Sequence, residues 1–399
     1  MYETLFHCGK VAHTNNNDRQ GPMPVQATPH VLYGAPHSLY TGKARCYLRN
    51  QGIAYIERPT SHPDFVSRIA PALGRAIIPV LETPEGEIVQ DTIDIIDHFE
   101  RKGSTRPVYP GTPLQCVVAV IIEYFGGQAM LKHAMHYRWS YLAEQQDFLR
   151  HAFVSGSGNA VADKVMARMQ SYLPMLGVTN DTVPLIERAF ETVLDTLDAH
   201  FAVMPYLLGS RPSIADYGLI APLFAHLGRD PVPAAIMKAR APRVFRWVER
   251  MNAPGLDTVE YPASEPAFVV GDAIPTSLEP FLACVAADIF PELDDKLAFF
   301  DQWITEQAPG DGAPVTDKPH RRRLGVVQTR YRGVPIEVGA EPYLLYVLQR
   351  AADTMAILNE EAAQRVWAEL KRLGLERAVP AGRDYRVARE NNIEVWRFD

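Results

Sequence analysis

The stretch 31–100 most constrains how this chain can fold. Val31-Leu32-Tyr33-Gly34 is a short apolar run stopped by Gly and Pro, the pattern of a buried strand. Tyr40, Ala44, Tyr47 and Leu48 then recur at helical spacing, with Gly52 as the stop. Ile53-Ala54-Tyr55-Ile56 reads as a second strand, and a Pro-rich loop and weak helix fill 62–73. Ile77-Ile78-Pro79-Val80-Leu81-Glu82 and Glu87-Ile88-Val89-Gln90 flank the turn chemistry of Thr83-Pro84-Glu85-Gly86, which makes a hairpin. Asp91 can cap a helix over 92–102 that turns Ile93, Ile96 and Phe99 inward and stops at Gly103. The polar residues with chemistry to offer fall in three places: the turn 35–41, the dipeptide Ile78-Pro79, and the pair Asp91-Thr92.

The rest of the chain changes character twice. A linker with three prolines over 104–113 leads into about 140 residues of helical periodicity. Helices are expected over 114–142, with a possible break at Gly126-Gly127, and over 160–173, 183–201, 213–227 and 242–251. Ser213-Ile214-Ala215-Asp216 is a capping box, and the helix it opens is too apolar to lie on a surface. From 253 onward the pattern is mixed: a helix over 277–307, a hairpin around Tyr331-Arg332-Gly333, a long amphipathic helix over 341–373, and a second hairpin around Asn391-Asn392. The expected division is an N-terminal extension 1–30, an α/β domain 31–103, a helical domain 111–252 and an α+β extension 253–399.

Composition narrows the class. A chain of 399 residues with 47% hydrophobic and 22% charged residues is ordinary globular material, long enough for two or three domains. Its net charge of -7 argues against a nucleic-acid or anionic-membrane surface. The one basic cluster, His320-Arg321-Arg322-Arg323, reads as a solvated loop. Cys8, Cys46, Cys116 and Cys284 are dispersed and make no CxxC spacing, which fits free thiols in a reducing compartment. No apolar run is expected to span a membrane, and 1–30 is polar with no signal core, so a cytoplasmic location is the expectation.

The motif order Leu32-Tyr33-Gly34-x-Pro36-x-Ser38-x-x-Thr41-x-Lys43-x-Arg45, Ile78-Pro79, Gln90-Asp91-Thr92 and the Ser213–Asp216 box resembles the cytosolic glutathione transferases over 31–251. That resemblance implies a thioredoxin-like domain followed by an all-helical domain, glutathione as co-substrate without a metal, and a homodimer. It implies that Ser38 is the catalytic residue of a serine-type site, that Pro79 is cis and lets the Ile78 backbone pair with the cysteinyl part of glutathione, and that Asp91 and Thr92 hold the γ-glutamyl end. The physics is compatible. A helix N-terminus offers free amides and partial positive charge, which favour a thiolate, and a Ser hydroxyl can donate to it. Ser38 and Asp91 would serve equally as plain helix caps.

Departures from the family pattern are Leu39 in place of a frequent Pro, Thr92 in place of Ser, and a loop 74–77 in which only Arg75, or His62 further away, offers a partner for the glycyl carboxylate. The absence of Cys at 38 and 41 argues against a dithiol mechanism, and Cys46 is expected to be packed. The resemblance points to Tyr40 of the first domain and His133, His136 and Tyr137 of the helical domain as the wall of a second-substrate pocket, although packing explains the spacing of the last three. His133-x-x-His136 permits a metal pair, but no carboxylate motif supports one. The function expected is activation of the glutathione thiol for attack on a hydrophobic electrophile, in conjugation or in related ether cleavage, dehalogenation or isomerisation. The alternative is a non-catalytic binding or scaffold protein on the same fold. No counterpart is evident for 253–399, which could cap the electrophile pocket or enlarge a dimer contact.

Overall fold

The structure is a computed structural model and describes residues 28–263 and 265–398. The N-terminal extension expected up to residue 30, apart from its last three residues, and Cys8 lie outside the described residues.

The first domain is a four-stranded mixed sheet. Its strands are β1 (His30–Gly34), β2 (Tyr55–Pro59), β3 (Val80–Glu82) and β4 (Ile88–Gln90), in the order β2-β1-β3-β4. β1 and β2 run parallel through the crossover helix α1 (Leu39–Asn50), whereas β3 is antiparallel to both β1 and β4. β2 begins two residues later than the apolar run suggests. Gly52 at φ 69° ends α1, and the Ile53 amide bonds back to the Leu48 carbonyl at 2.9 Å, so Ile53 belongs to the helix cap. The weak helix is a wide turn over Phe65–Ile69 running into α2 (Ala70–Leu73), and α3 (Thr92–Arg101) follows β4. Gly34 cannot be replaced cheaply: a Cβ there would stand 2.2 Å from the Thr41 Cγ2, because the end of β1 lies against the first turn of α1.

Eight helices make the second domain as described: α4 (Pro113–Tyr124), α5 (Leu131–Trp139), α6 (Leu142–Ser157), α7 (Ala162–Gln170), α8 (Val183–His200), α9 (Ile214–Ala225), α10 (Pro231–Arg240) and α11 (Pro242–Asn252). The capping box is present. Both the amide and the hydroxyl of Ser213 donate to Asp216 Oδ2 at 2.9 Å, and Asp216 Oδ1 accepts from the Leu207 amide and from Trp247 Nε1. Burial raises the Asp216 carboxyl to about 6 despite those bonds. The expected break at Gly126-Gly127 is a widened turn, Phe125–Ala129, between α4 and α5. It sits where two backbones touch: a Cβ on Gly126 would meet the Gly218 carbonyl at 2.4 Å, and one on Gly218 would meet Glu123 Cα at 2.4 Å. Two helices were not legible in the pattern. α6 carries a kink at buried Gln145, and α10 opens on Pro231 and Pro233.

Contrary to expectation, one helical run, Pro113–Trp139, is long and apolar enough to cross a membrane. Its apolarity is absorbed inside the protein, where most of its residues are buried. α9 covers one side of α4, and the other is covered from the C-terminal extension.

That extension contains α12 (Glu279–Gln307), the hairpin β5 (Gly325–Tyr331) and β6 (Val334–Ala340), α13 (Tyr343–Ala356), α14 (Glu360–Arg372), and the hairpin β7 (Tyr385–Glu390) and β8 (Ile393–Phe398). The single helix expected over 341–373 is two, because the side chain of Asn359 accepts the Ala362 amide at 2.9 Å and starts α14 afresh. Asn391 and Asn392, at φ 48° and 64°, make the tight turn of the last hairpin. α13 packs along α4, and its residues Leu344, Leu345, Val347 and Leu348 are buried.

The backbone contact at Gly126 makes a specific prediction. Gly126→Val should lower the thermal unfolding midpoint by an amount equivalent to about 1–3 kcal/mol or more, the usual range for overpacking. An unchanged midpoint by circular dichroism would mean that the α4–α9 crossing has room to spare.

Candidate functional site

Sheet register gathers the three polar segments. Tyr33 pairs with Val80 and Val80 with Gln90, so the ends of β1 and β4 and the start of β3 lie at one edge. The turn 35–38, the Ile78-Pro79 bond and Asp91 therefore meet there, and the Asp91 amide reaches the Pro79 carbonyl at 3.4 Å. The Ile78-Pro79 bond is cis. Neither the N–H nor the C=O of partly exposed Ile78 has a hydrogen-bond partner among the described residues, which leaves a free backbone edge beside the turn.

Ser38 caps α1 in an extended conformation, its Oγ accepting the Thr41 amide at 3.2 Å. Ahead of it, three consecutive carbonyls each accept from a guanidinium. Arg45 Nη2 donates to the Ala35 carbonyl at 3.4 Å, Arg229 donates to the Pro36 carbonyl, and Arg138 Nη1 donates to the His37 carbonyl at 3.0 Å. Arg45 is paired with Glu57, and Arg138 makes a bidentate pair with buried Asp230 at 2.7 and 2.9 Å. The turn thus carries cations on its carbonyl side and the α1 amides on the other. His37 registers that field: burial first, then Arg138, Arg229 and Arg45, lower it from its ordinary 6.5 to about 3, and its ring packs on Phe153. Buried Lys43, one turn along α1, forms an ion pair with buried Glu123 of α4.

Asp91 and Thr92 are both buried, and the extension roofs them. Asp91, at φ 89°, accepts through Oδ1 from the Ile93 amide at 3.0 Å and from Tyr343 Oη at 2.7 Å, with Arg389 3.8 Å from Oδ2. Arg389 and the Ile93 and Tyr343 hydrogen bonds hold this carboxyl below its usual range in spite of burial, which alone would raise it. Arg389 also binds Asp94 at 2.6 Å and the Gln90 carbonyl at 2.9 Å. The β7–β8 turn docks on the outer edge of β4: Asn392 Oδ1 accepts the Gln90 amide at 3.0 Å. Arg75, offered above for a glycyl carboxylate, is committed instead to Glu394, Gln90 and the carbonyls of Asn392 and Pro319. His62 lies against Asp64 and Tyr33.

A cavity of about 680 Å³ opens next to this edge. Tyr40 and Ile77 form its wall on the first domain, Leu131, Met135 and Leu176 on the helical domain, and 319–323 with Tyr343 and Leu344 on the extension. Of the four pocket residues expected, only Tyr40 lines it; its hydroxyl donates to the Gly127 carbonyl at 3.0 Å. His133, His136 and Tyr137 lie in the packed interior on other faces of α5. His133 sits 3.5 Å from Asp288 of α12, His136 contacts Ser140 and Glu187, and Tyr137 packs on Phe190. The i,i+4 spacing of α5 reports inter-helix contacts here rather than a pocket face. Among the described residues no three His, Cys, Asp or Glu side chains gather in a metal-binding cluster. Cys46 is buried with its thiol donating to the Met251 carbonyl, and burial drives its pKa upward, which leaves it packed and unreactive.

Sequence reasoning missed Arg138, Arg229, Tyr343, Arg389 and the 319–323 loop. A lone Arg in a helix or in the turn between two helices carries no periodic signal, and the last three elements act from more than two hundred residues away along the chain.

The architecture is a thioredoxin-like domain followed by a helical domain, with extra C-terminal strands and helices. Residues 32–107 match the family model Glutathione S-transferase, N-terminal domain, and residues 180–250 match Glutathione S-transferase, C-terminal domain. Both matched segments are glutathione S-transferase domains. No curated protein sequence matches it. Solved structures that align with it include a glutathione transferase from Phanerochaete chrysosporium (14% identity, 57% of this chain and 97% of that one, TM-score 0.41). Another is a glutathione S-transferase from Methylobacterium radiotolerans in complex with glutathione sulfonate (18% identity, 61% and 100%, TM-score 0.36). The family assignment rests on the two matched segments and not on these likenesses.

Two outcomes follow from the turn. Arg138→Ala leaves Asp230 charged and buried and the His37 carbonyl unpaired; a loss of about 3–5 kcal/mol in denaturant unfolding is expected, with Arg138→Lys intermediate. The second concerns acid. His37 is neutral in the folded protein down to about 3 but titrates near 6.5 when unfolded, so its contribution is complete above 6.5 and is lost as pH falls below it. The unfolding midpoint should therefore drop between neutral pH and pH ~5, less steeply in His37→Gln. Equal slopes would show that His37 is solvated.

Proposed function

We propose that this protein binds reduced glutathione with its sulfur at Ser38 and activates it for attack on a hydrophobic electrophile. The observation that carries the reading is the turn ahead of Ser38. Three guanidiniums hold its carbonyls, the free amides of α1 begin at its end, and the unpaired backbone of Ile78 lies alongside. A thiol entering there meets a field that favours its anion, and the Ser38 hydroxyl can turn from its cap to donate to the sulfur. In the step proposed, the thiol proton leaves to solvent and the sulfur lone pair forms a new bond to the electrophilic atom. The electron pair of the broken bond departs with the leaving group, or moves to a neighbouring atom that takes up a proton. The protein supplies orientation and a stabilised thiolate. The Ile78 N–H and C=O would pair with the cysteinyl unit as an added strand, and the α3 amides with Thr92 would hold the γ-glutamyl carboxylate.

One observation favours the second reading, a non-catalytic binding protein on this fold. Asp91, the acid that the α-amino group of the γ-glutamyl end would meet, already has its oxygens engaged by Ile93, Tyr343 and Arg389. A γ-glutamyl group would have to displace Tyr343 or find another acceptor. The proposed homodimer would have to assemble away from α4, whose outer side α13 of the same chain covers. A cytoplasmic location belongs to the same proposal and fits the free cysteines 46, 116 and 284.

The test combines calorimetric titration with reduced glutathione and thiolate absorbance of the complex across pH. Saturable binding is expected, with a thiol pKa well below the free value of about 8.5. Ser38→Ala should return it toward that value and cost about 10²–10³ in kcat with a model electrophile, the usual effect of losing one such donor. Binding with an unshifted thiol would favour the scaffold reading, and no binding at millimolar glutathione would reject both forms of glutathione chemistry.

A further inference from the structure

The basic cluster at 320–323, unremarkable in sequence, is placed at the mouth of the cavity beside the thiol turn. The cavity lining holds seven Lys and Arg side chains and two carboxylates, in a chain whose net charge is -7. Most of the interior charges are matched. Lys132 and Lys296 share Glu292, Lys296 also approaches Glu341, and Arg75 binds Glu394. At the rim, Arg321 is paired with Asp317. Arg322, Arg323 and Arg168 have no carboxylate within ion-pairing distance among the described residues. Arg322 lies over the Tyr343 ring, and Arg168 donates to the hydroxyl of Tyr172. These three cations come from two separate elements, α7 and the 319–323 loop, and border one opening. The walls beneath them are apolar: Leu131, Met135, Met169, Leu176 and Leu344. The charge of Arg322 reaches Tyr40, Glu341 and Asp91, so the rim and the thiol edge share one electrostatic environment.

A solvated basic loop has no reason to close over an apolar cavity opposite another unpaired guanidinium. We infer that this cavity binds an amphipathic organic anion, with its apolar body against the leucine and methionine wall and its carboxylate, sulfonate or phosphate head at Arg322, Arg323 and Arg168. Guanidinium groups suit such heads because their donors match the oxygen geometry. The extension would then set the ligand class, since it contributes two of the three unpaired cations and part of the apolar wall. That this anion is the second substrate rests on the glutathione reading above; that the cavity binds it does not.

The test uses the full chain without glutathione and two fluorescent probes of similar body, the sulfonate 1-anilino-8-naphthalenesulfonate and the uncharged N-phenyl-1-naphthylamine. The sulfonate should bind the wild type more tightly, and added salt should weaken the sulfonate alone. Arg322→Ala/Arg323→Ala should weaken it about ten-fold or more, and Arg168→Ala should act in the same direction. The neutral probe should be little changed. All three arginines are exposed, so the variants should fold, which circular dichroism checks. The inference is overturned if neither probe binds, if the substitutions affect both probes alike or neither, or if reduced glutathione displaces the sulfonate competitively. Displacement would assign the cations to the carboxylates of the tripeptide. Failure of glutathione to bind, with the sulfonate result intact, would reject the proposed co-substrate and leave the anion site standing.

Discussion

Much of this structure depends on the need to bury α4 on every side. Val117 to Ile122 are apolar without a break, and all are buried. A helix with no polar face cannot lie on a surface. One side is closed by α9, at a contact so close that it needs Gly218 in α9 and Gly126 in the turn that follows α4. The other side is closed by α13. Burial of Leu344, Leu345, Val347 and Leu348 contributes roughly 1.5–3 kcal/mol each before entropy is set against it, a sum comparable to the whole net stability of a typical domain, about 5–15 kcal/mol. The extension is therefore part of the interior and not an appendage. The same dependence decides where the site lies, because the register of α13 on α4 fixes where Tyr343 meets Asp91.

The site itself is an electrostatic construction in which the helical domain acts on the first domain. The turn 35–38 has one large buried side chain, His37 packed on Phe153, and its shape is also held through its carbonyls. Arg138 does this from α5 while its charge is compensated by Asp230, and Arg229 does it from the segment between α9 and α10. Compensated guanidiniums are less costly to bury than free ones, yet they still aim N–H dipoles at the turn. The depressed His37 and the committed Arg138 describe one arrangement: a neutral histidine tolerates the cations that a charged one would repel.

How much of this was legible follows the range of the interactions. The strand–turn–helix of 31–50, the hairpin around Thr83–Gly86 and the Ser213–Asp216 box are set by residues within a few positions of one another, and the sequence displays them directly. The start of β2 was misplaced by two residues because Ile53 is a cap residue with a strand-like side chain. The break at Asn359 left a capping signal that the longer amphipathic pattern masked. His133 and His136 show the converse: their density suggested a pocket, but a helix packed on several sides needs polar residues facing α8 and α12 as well. Arg322 was read as solvated because charge clusters usually are, and only the fold puts an apolar cavity under it. Docking of Asn392 on Gln90 spans three hundred residues and has no local signature at all.

The extension also joins functions that the fold would otherwise keep apart. Tyr343 begins α13, so its placement is governed by core packing. Yet the same ring bonds Asp91, carries Arg322 above it, and lines the cavity. Arg322 therefore stands one side chain away from Asp91. Arg389 reinforces this link from the other hairpin, because it bridges Asp94, Glu394 and the Gln90 carbonyl behind the same acid. Apolar packing on one side of α13 and hydrogen bonding at its first turn cannot be altered independently. In this chain the surroundings of Asp91 and part of the wall of the neighbouring cavity depend on a single helix being seated on α4.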